Sequence, residues 1–341
     1  MPGTSKKHAQ VAVLGDGAWG TVLSLLLCGN GSKTTLWSPF PDYASEMEKK
    51  RENTRFLAGT ALPPELGITG DIAAAAKNAE MLVLASPSQY MRATLERLKP
   101  HFRPETILVN VSKGIENGTL KRMSELCREL LGECRYVVLS GPSHAEEVVR
   151  RSPTAVVAAS AEHELALHAQ NIFMNDYFRT YTSTDVVSVE LGGALKNVLA
   201  IAAGVIDGMG IGDNPKAALI TRGIAEMGRL GVALGGRSET FAGLSGIGDL
   251  IVTCTSGHSR NRHVGEELGR GKALETVMKE MGMVVAEGVH TAKSAWELAN
   301  KHGVETPIIN EVYATLYKGK SPRKAVIDLM TRKARYELDN P

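Results

Sequence analysis

The feature that most constrains this chain is a glycine turn set between an apolar run and an apolar helix. Val11-Ala12-Val13-Leu14 leads directly into Gly15-Asp16-Gly17-Ala18-Trp19-Gly20, and residues 21–27 continue as Thr-Val-Leu-Ser-Leu-Leu-Leu. A Gly-x-Gly-x-x-Gly turn between a strand and a helix is the context in which a backbone can approach a pyrophosphate. Gly15 permits the tight turn, Gly17 the close approach and Gly20 the contact of helix with sheet. Free N–H groups and the macrodipole at the start of that helix favour negative charge. A tight connection that binds nothing would use the same six residues. The flanking strand and helix favour the dinucleotide.

Beyond the turn, apolar runs alternate with helical patterns. Strands are expected at 34–37, 81–85, 106–111, 136–139 and 154–158, with helices at 42–52, 71–79 (capped by Asp71), 88–98, 119–131 and 162–174. Strands that are apolar throughout and separated by helices predict a parallel sheet covered on both faces. The alternation stops near Asp185, and the patterns after it are helical: 189–204, 216–234, 273–281, 291–301, 308–316 and 323–330. The predicted architecture is an α/β N-terminal Rossmann-type dinucleotide-binding domain followed by an all-α C-terminal domain. The division expected is 1–185 and 186–341, in keeping with the roughly two domains that 341 residues suggest.

Charge narrows the partners. Lys and Arg number 39 against 37 Asp and Glu, a net +2 that is too balanced for a nucleic-acid surface. Attraction for an anion must therefore be local. Cys28, Cys127, Cys134 and Cys254 are scattered, with no metal-ligand spacing to the histidines, which predicts no metal and free thiols in a reducing cytoplasm. No run reaches the roughly 18 apolar residues of a membrane span, and residues 11–14 are too short for a signal-peptide core.

In a parallel sheet, ligands bind outside the carboxyl ends of the strands. The residues leaving those ends are Ser86-Pro87-Ser88, Ser112-Lys113-Gly114 and Ser140-Gly141-Pro142-Ser143-His144-Ala145. Lys113 is the only cation among them and is placed to meet an anionic substrate, although most lysines are simply exposed. His144 has acid–base chemistry but lies next to Glu146 and Glu147, where capping or solvent exposure is the commoner fate. Past the second strand, where an acid favours NAD and an arginine NADP, stand Ser38, Pro39 and Phe40. Neither signal is present. Phe40 suits an adenine face or plain core.

In the helical half, Lys196 is the single charge between Glu190 and Asp207. Apolar residues surround it on all helical faces, so the helix should be buried nearly all round. Desolvation lowers a lysine's pKa and makes it an acid–base group near neutrality. The alternative is an amine that snorkels to the surface. Asp249 is an isolated carboxylate amid small and apolar residues, costly unless paired. It could orient a lysine, accept from a substrate hydroxyl, or merely cap the helix that Leu250 begins. Ser259-Arg260-Asn261-Arg262 offers guanidinium and neutral donors near a helix start, suited to a phosphate or to a solvated basic turn. Residues 284–288 read as a loop back toward the cofactor.

From about Val11 to about Met330 the chain resembles the bacterial NAD(P)-dependent glycerol-3-phosphate dehydrogenase family. The blocks that carry the resemblance are 15–21 (GDGAWGT), 111–116 (VSKGIE), 139–145 (LSGPSHA), 192–198 (GGALKNV), 218–223 (ALITRG), 248–255 (GDLIVTCT) and 259–261 (SRN). The resemblance implies reversible hydride transfer between NAD or NADP and a small phosphate substrate, dihydroxyacetone phosphate giving sn-glycerol 3-phosphate for phospholipid synthesis. Lys196 would be the proton donor and acceptor. Substrate contacts would come from Lys113, Gly141, Ser143, Lys196, Asp249, Ser259, Arg260 and Asn261. Cofactor contacts would come from Gly15, Gly17, Ala18, Trp19, Gly20, Phe40, Lys113, Ala145, Arg260, Val285 and Glu287. The family usually carries basic or imidazole side chains where Pro39 and Phe40 stand here, so the resemblance does not choose between NADPH and NADH. It also suggests a cytoplasmic homodimer. Two rivals are a β-hydroxyacid dehydrogenase of related fold and a non-catalytic nucleotide-sensing module.

Overall fold

In the computed structural model, which describes residues 9–282, 285–334 and 336–337, β1 (Gln10–Leu14) enters the glycine turn and α1 (Ala18–Gly29) leaves it. There follow β2 (Lys33–Trp37), α2 (Pro41–Lys50), the hairpin β3 (Glu52–Asn53) and β4 (Leu57–Ala61), β5 (Gly67–Thr69), α3 (Ile72–Ala76) and β6 (Met81–Leu84). The first half continues through α4 (Met91–Leu98), β7 (Ile107–Asn110), α5 (Met123–Leu131), β8 (Arg135–Ser140), α6 (Ala145–Val148), β9 (Thr154–Ala159), α7 (His163–Phe173) and β10 (Phe178–Ser183). The main sheet has the order β10-β9-β8-β7-β6-β1-β2-β5. β1 lies between β2 and β6, where the strand order reverses, so the glycine turn opens at the crevice of a doubly wound sheet. The Rossmann-type half followed by helices is as expected.

The sheet is not parallel throughout. β8 and β9 pair antiparallel. A parallel return needs a crossover of a dozen or more residues, usually carried by a helix. α6, with four residues, is too short to carry the chain back along the sheet. The expected strand set also lacked β3, β4, β5 and β10. β10 alternates buried and exposed residues at the edge of the sheet, and β5 has only three residues, so neither has the continuous apolar run the sequence reading required. Helices expected at 71–79 and 119–131 are shorter. Asp71 does cap α3, accepting from Ala73 N at 2.9 Å.

The second half begins with α8 (Val186–Met209), followed by α9 (Asp213–Ala233), α10 (Asp249–Thr255), α11 (Arg260–Gly269), α12 (Leu274–Met281), α13 (Glu287–Lys301), α14 (Pro307–Tyr317) and α15 (Pro322–Met330). α8 starts earlier than expected because Asp185 accepts from Ser188 N at 3.0 Å and caps it. By length and composition α8 could cross a membrane, but 94% of that apolar stretch is buried inside the protein. It is the axle of the helical half, packed by α9, α10, α11 and α13. Glycines set its closest contact: a Cβ at Gly204 would lie 1.9 Å from Arg262 O, and one at Gly265 1.9 Å from Ile201 O. Backbone therefore rests on backbone where α8 crosses α11. Near its start, α8 is fastened to the sheet half by Glu190, which accepts from Arg122 Nη1, Ser124 N and Tyr136 Oη at 2.6–2.8 Å.

Candidate active site

The glycine turn forms an open cradle. Gly15 has φ +130°, and a Cβ there would lie 2.7 Å from the Ala85 carbonyl. A Cβ on Gly20 would lie 2.0 Å from Gly15 O, so both positions exclude side chains. Gly17 precedes α1 with no side-chain cap, no acid in the first turn, and nothing within 4 Å of where its Cβ would be. The N–H groups of Ala18, Trp19 and Gly20 thus start a helix whose end meets no side-chain acceptor among the described residues. That cradle fits a dinucleotide diphosphate. The Trp19 ring packs toward Phe178, centroids 6.5 Å apart, which leaves its backbone rather than its ring at the cradle.

Across the cleft, three charged groups converge. Lys196 Nζ contacts Asp249 Oδ1 and reaches Thr253 Oγ1 at 2.8 Å. Lys113 Nζ donates to Asp249 Oδ2 at 2.7 Å and to Gly141 O at 3.0 Å. Ser143 Oγ donates to the same Gly141 carbonyl at 2.9 Å. Two ammonium groups therefore share one fully buried carboxylate. Lys196 is 6% exposed. Burial lowers its pKa from 10.5 to about 8; Asp249 opposes that shift and the neighbouring Lys113 adds to it.

Small residues make the convergence possible. A Cβ on Gly193 would meet Ser140 Oγ at 2.9 Å and the Lys113 stem at 3.2 Å. One on Gly192 would meet Ser245 O at 2.3 Å, so the wide turn at 244–248 lies directly on α8. That turn delivers Asp249 as the first residue of α10, its side chain aimed at the lysines rather than at its own helix end. Asp249 therefore pairs with two lysines and does not cap α10.

A chain of amides links the remaining candidates. Asn197 Nδ2 donates to Lys113 O at 3.2 Å, Asn261 Nδ2 donates to Asn197 Oδ1 at 2.9 Å, and Gly288 N donates to Asn261 Oδ1 at 2.9 Å. The β7 loop, α8, α11 and α13 are thereby held in one register. Ser259 Oγ accepts from Arg262 N at 3.2 Å and caps α11. Arg262 is held by Asp207 at 2.6 Å and is not available as part of an anion-binding fork; Arg260 is exposed at the start of α11. Its charge acts on the Glu287 carboxyl, whose pKa burial raises. Glu287 Oε1 accepts from Ser88 N at 2.8 Å, joining the ends of β6 and α13 across the cleft.

Other candidates stand apart from the lysines. Phe40 is 46% exposed at the start of α2, beyond the end of β2. Ala145 opens α6, with His144 before it making no side-chain cap. His144 Nε2 is buried and has no partner among the described residues, and burial lowers its pKa. Val285 precedes α13; Val284, in the loop expected at 284–288, lies outside the described residues. Thr253 and Asn197 are not among the site candidates of the sequence, and Ser88 stands there only as one of the residues leaving a strand end. Thr253 had a signal, since it falls four residues after Asp249 and so on the same helix face. Among the described residues all four cysteines are free, and no His, Cys, Asp and Glu cluster could hold a metal ion.

Two family models match the chain, NAD-dependent glycerol-3-phosphate dehydrogenase N-terminus over residues 10–166 and the corresponding C-terminus over residues 185–327. The chain is similar to the glycerol-3-phosphate dehydrogenase [NAD(P)+] of Geobacter metallireducens, 52% identical over 331 residues, covering 96% of this chain and 98% of the relative. It is 51% identical over 333 residues to that of Geobacillus kaustophilus, covering 97% and 96%. Among solved structures, glycerol-3-phosphate dehydrogenase from Coxiella burnetii superposes with a TM-score of 0.92 at 37% identity, covering 95% of this chain and 99% of that one.

Proposed function

The chain belongs to the NAD-dependent glycerol-3-phosphate dehydrogenase family, and on that premise we propose that it interconverts dihydroxyacetone phosphate and sn-glycerol 3-phosphate with NAD(H) or NADP(H), for phospholipid synthesis. Residues 1–185 hold the cofactor and residues 186–341 bring the acid–base group to it. The observation that carries this reading is the buried Lys196–Asp249–Lys113 cluster facing the carboxyl ends of the sheet.

When bound, the nicotinamide supplies or accepts the hydride at C2 of the substrate. The chain's own residues do the rest. In reduction, protonated Lys196 gives its proton to the carbonyl oxygen; in oxidation, the neutral amine takes the hydroxyl proton back. A pKa of about 8 makes both forms accessible near neutrality. Asp249 keeps Lys196 and Lys113 aimed at the same point, and Lys113 adds positive charge beside the developing oxyanion. Gly141 and Ser143 line the reacting end. Arg260, with Ser259 and Asn261 at the start of α11, takes the phosphate. Gly15, Gly17, Ala18, Trp19 and Gly20 take the cofactor diphosphate, while Phe40, Ala145, Val285 and Glu287 complete the cofactor wall. We read the protein as a cytoplasmic homodimer.

The test is loss of nicotinamide absorbance with dihydroxyacetone phosphate, run with NADH and with NADPH. Lys196→Ala should lose roughly 10²–10⁴-fold in turnover while cofactor affinity is retained. Turnover like that of the unaltered protein would remove Lys196 from the mechanism. Oxidation of 3-hydroxyisobutyrate but not of glycerol 3-phosphate would decide for a β-hydroxyacid dehydrogenase.

A further inference from the structure

We propose that Arg55, carried on the β3–β4 hairpin, is the specificity-determining cation of the cofactor site and binds the 2′-phosphate of NADPH. The proposal rests on the dehydrogenase reading above and answers what the end of β2 leaves open. There, Ser38 Oγ donates to Asp16 Oδ2 at 2.6 Å, and Pro39 and Phe40 bring no charge. A positive group for a 2′-phosphate must come from another segment.

The hairpin supplies one and is fixed to the cradle. Asn53, fully buried, donates through Nδ2 to Asp16 O at 2.7 Å and to Thr21 Oγ1 at 2.8 Å. Both acceptors belong to the glycine turn and to α1. Asn53 Oδ1 accepts from Tyr43 Oη at 2.7 Å and from Phe56 N at 3.2 Å, and Tyr43 Oη in turn accepts from Arg55 N at 2.9 Å. The hairpin backbone on both sides of Arg55 is thus set by bonds that lead directly back to the turn.

The Arg55 side chain is also held. Its guanidinium carbon lies 3.8 Å over the Tyr43 ring. Stacking uses the flat face of the group and leaves its in-plane N–H donors free for a phosphate. Arg55 is exposed, and among the described residues its guanidinium has no ion pair. Burial raises the pKa of the Asp16 carboxyl, and the Arg55 charge acts against that rise. Arg51, which ends α2 just before β3, is engaged elsewhere: it donates to Leu66 O at 2.8 Å and pairs with Glu48. Arg55 is the preorganised cation with open donors.

The experiment measures dissociation constants of NADPH, NADH and 2′,5′-ADP, without substrate, for the unaltered protein and for Arg55→Gln. Nicotinamide fluorescence reports the first two, and displacement of NADPH reports the third. Arg55→Gln should weaken NADPH and 2′,5′-ADP about 10–100-fold, the worth of charge-assisted phosphate contacts, and change NADH by less than about twofold. The unchanged NADH constant shows that the variant is folded. Equal weakening of NADH and NADPH, or no change in either, overturns the proposal and leaves the dehydrogenase reading intact. Binding of neither cofactor by the unaltered protein overturns both.

Discussion

Lys196 and Asp249 meet inside the protein across 53 positions of sequence, and the second oxygen of that carboxylate holds Lys113 at 2.7 Å. One buried negative charge thus serves two positive ones. Burial keeps Lys196 at about 8 rather than 10.5, with Asp249 opposing that shift and Lys113 adding to it.

The pH dependence follows from the sign of that shift. Carbonyl reduction needs the protonated amine, so turnover with dihydroxyacetone phosphate should fall as pH rises through about 8. Glycerol 3-phosphate oxidation needs the neutral amine and should rise through the same value. Opposite limbs with a shared midpoint in steady-state profiles of the two directions are the expected result. Limbs of the same sign would exclude Lys196 as the shared group.

Asp249→Asn leaves two ammonium groups without their counter-charge. Breaking a buried pair by removing one partner costs about 3–5 kcal/mol, unless the stranded charge neutralises. Deprotonation of Lys196 relieves the repulsion, so the midpoint for reduction should move below about 8 while the urea midpoint drops. A profile still centred at about 8 would show that Asp249 does not set it.

Gly265→Ala tests the helix crossing. The added Cβ would lie 1.9 Å from the Ile201 carbonyl, a backbone atom that cannot swing away. Overpacking of this kind costs about 1–3 kcal/mol. α11 must shift, and Arg260 and Asn261 shift with it, so the KM for dihydroxyacetone phosphate should rise along with the loss in denaturation midpoint. Gly257→Ala is the control, because nothing lies within 4 Å of its Cβ. A normal KM in Gly265→Ala would separate α11 from phosphate binding.

Glu226 gives a pH dependence away from the active site. It is buried on α9 and accepts from Ile308 N and Ile309 N at the start of α14, and burial raises its pKa to about 7. The folded state therefore binds the proton more tightly than the unfolded chain. Its contribution, on the order of 3 kcal/mol, is present below about pH 4.5 and is lost as pH rises through about 7. Glu226→Gln should flatten that part of the urea midpoint–pH curve. An unchanged slope would assign the titration to another group.

Much of the sheet half was legible because its inner strands, such as Val11–Leu14 and Met81–Leu84, are continuous apolar runs. The edge strand β10 was not, since half of its residues face out and its apolar signal is diluted. Lys196 was legible as a charge with apolar neighbours on every side. Asn197 was not, because an Asn on a helix is unremarkable until a partner from another element meets it, and the only mark on Thr253 is its place one turn after Asp249. Arg260 and Arg262 are equivalent in the sequence, and only the Asp207 carboxylate, 2.6 Å from Arg262, separates them.

Local order and chemistry thus belong to the sequence itself: the glycine turn, the succession of apolar runs and the single charge in an apolar helix follow from spacing and solvation, which act between near neighbours. Tertiary structure alone decided which distant groups share a site. Asp249 pairs with two lysines rather than with its own helix end, and Asn53 ties the hairpin that carries Arg55 to the glycine turn, because close backbone approaches at glycines and buried amide bonds bring those segments together. Such contacts depend on how whole elements pack, a relation that no stretch of residues carries by itself.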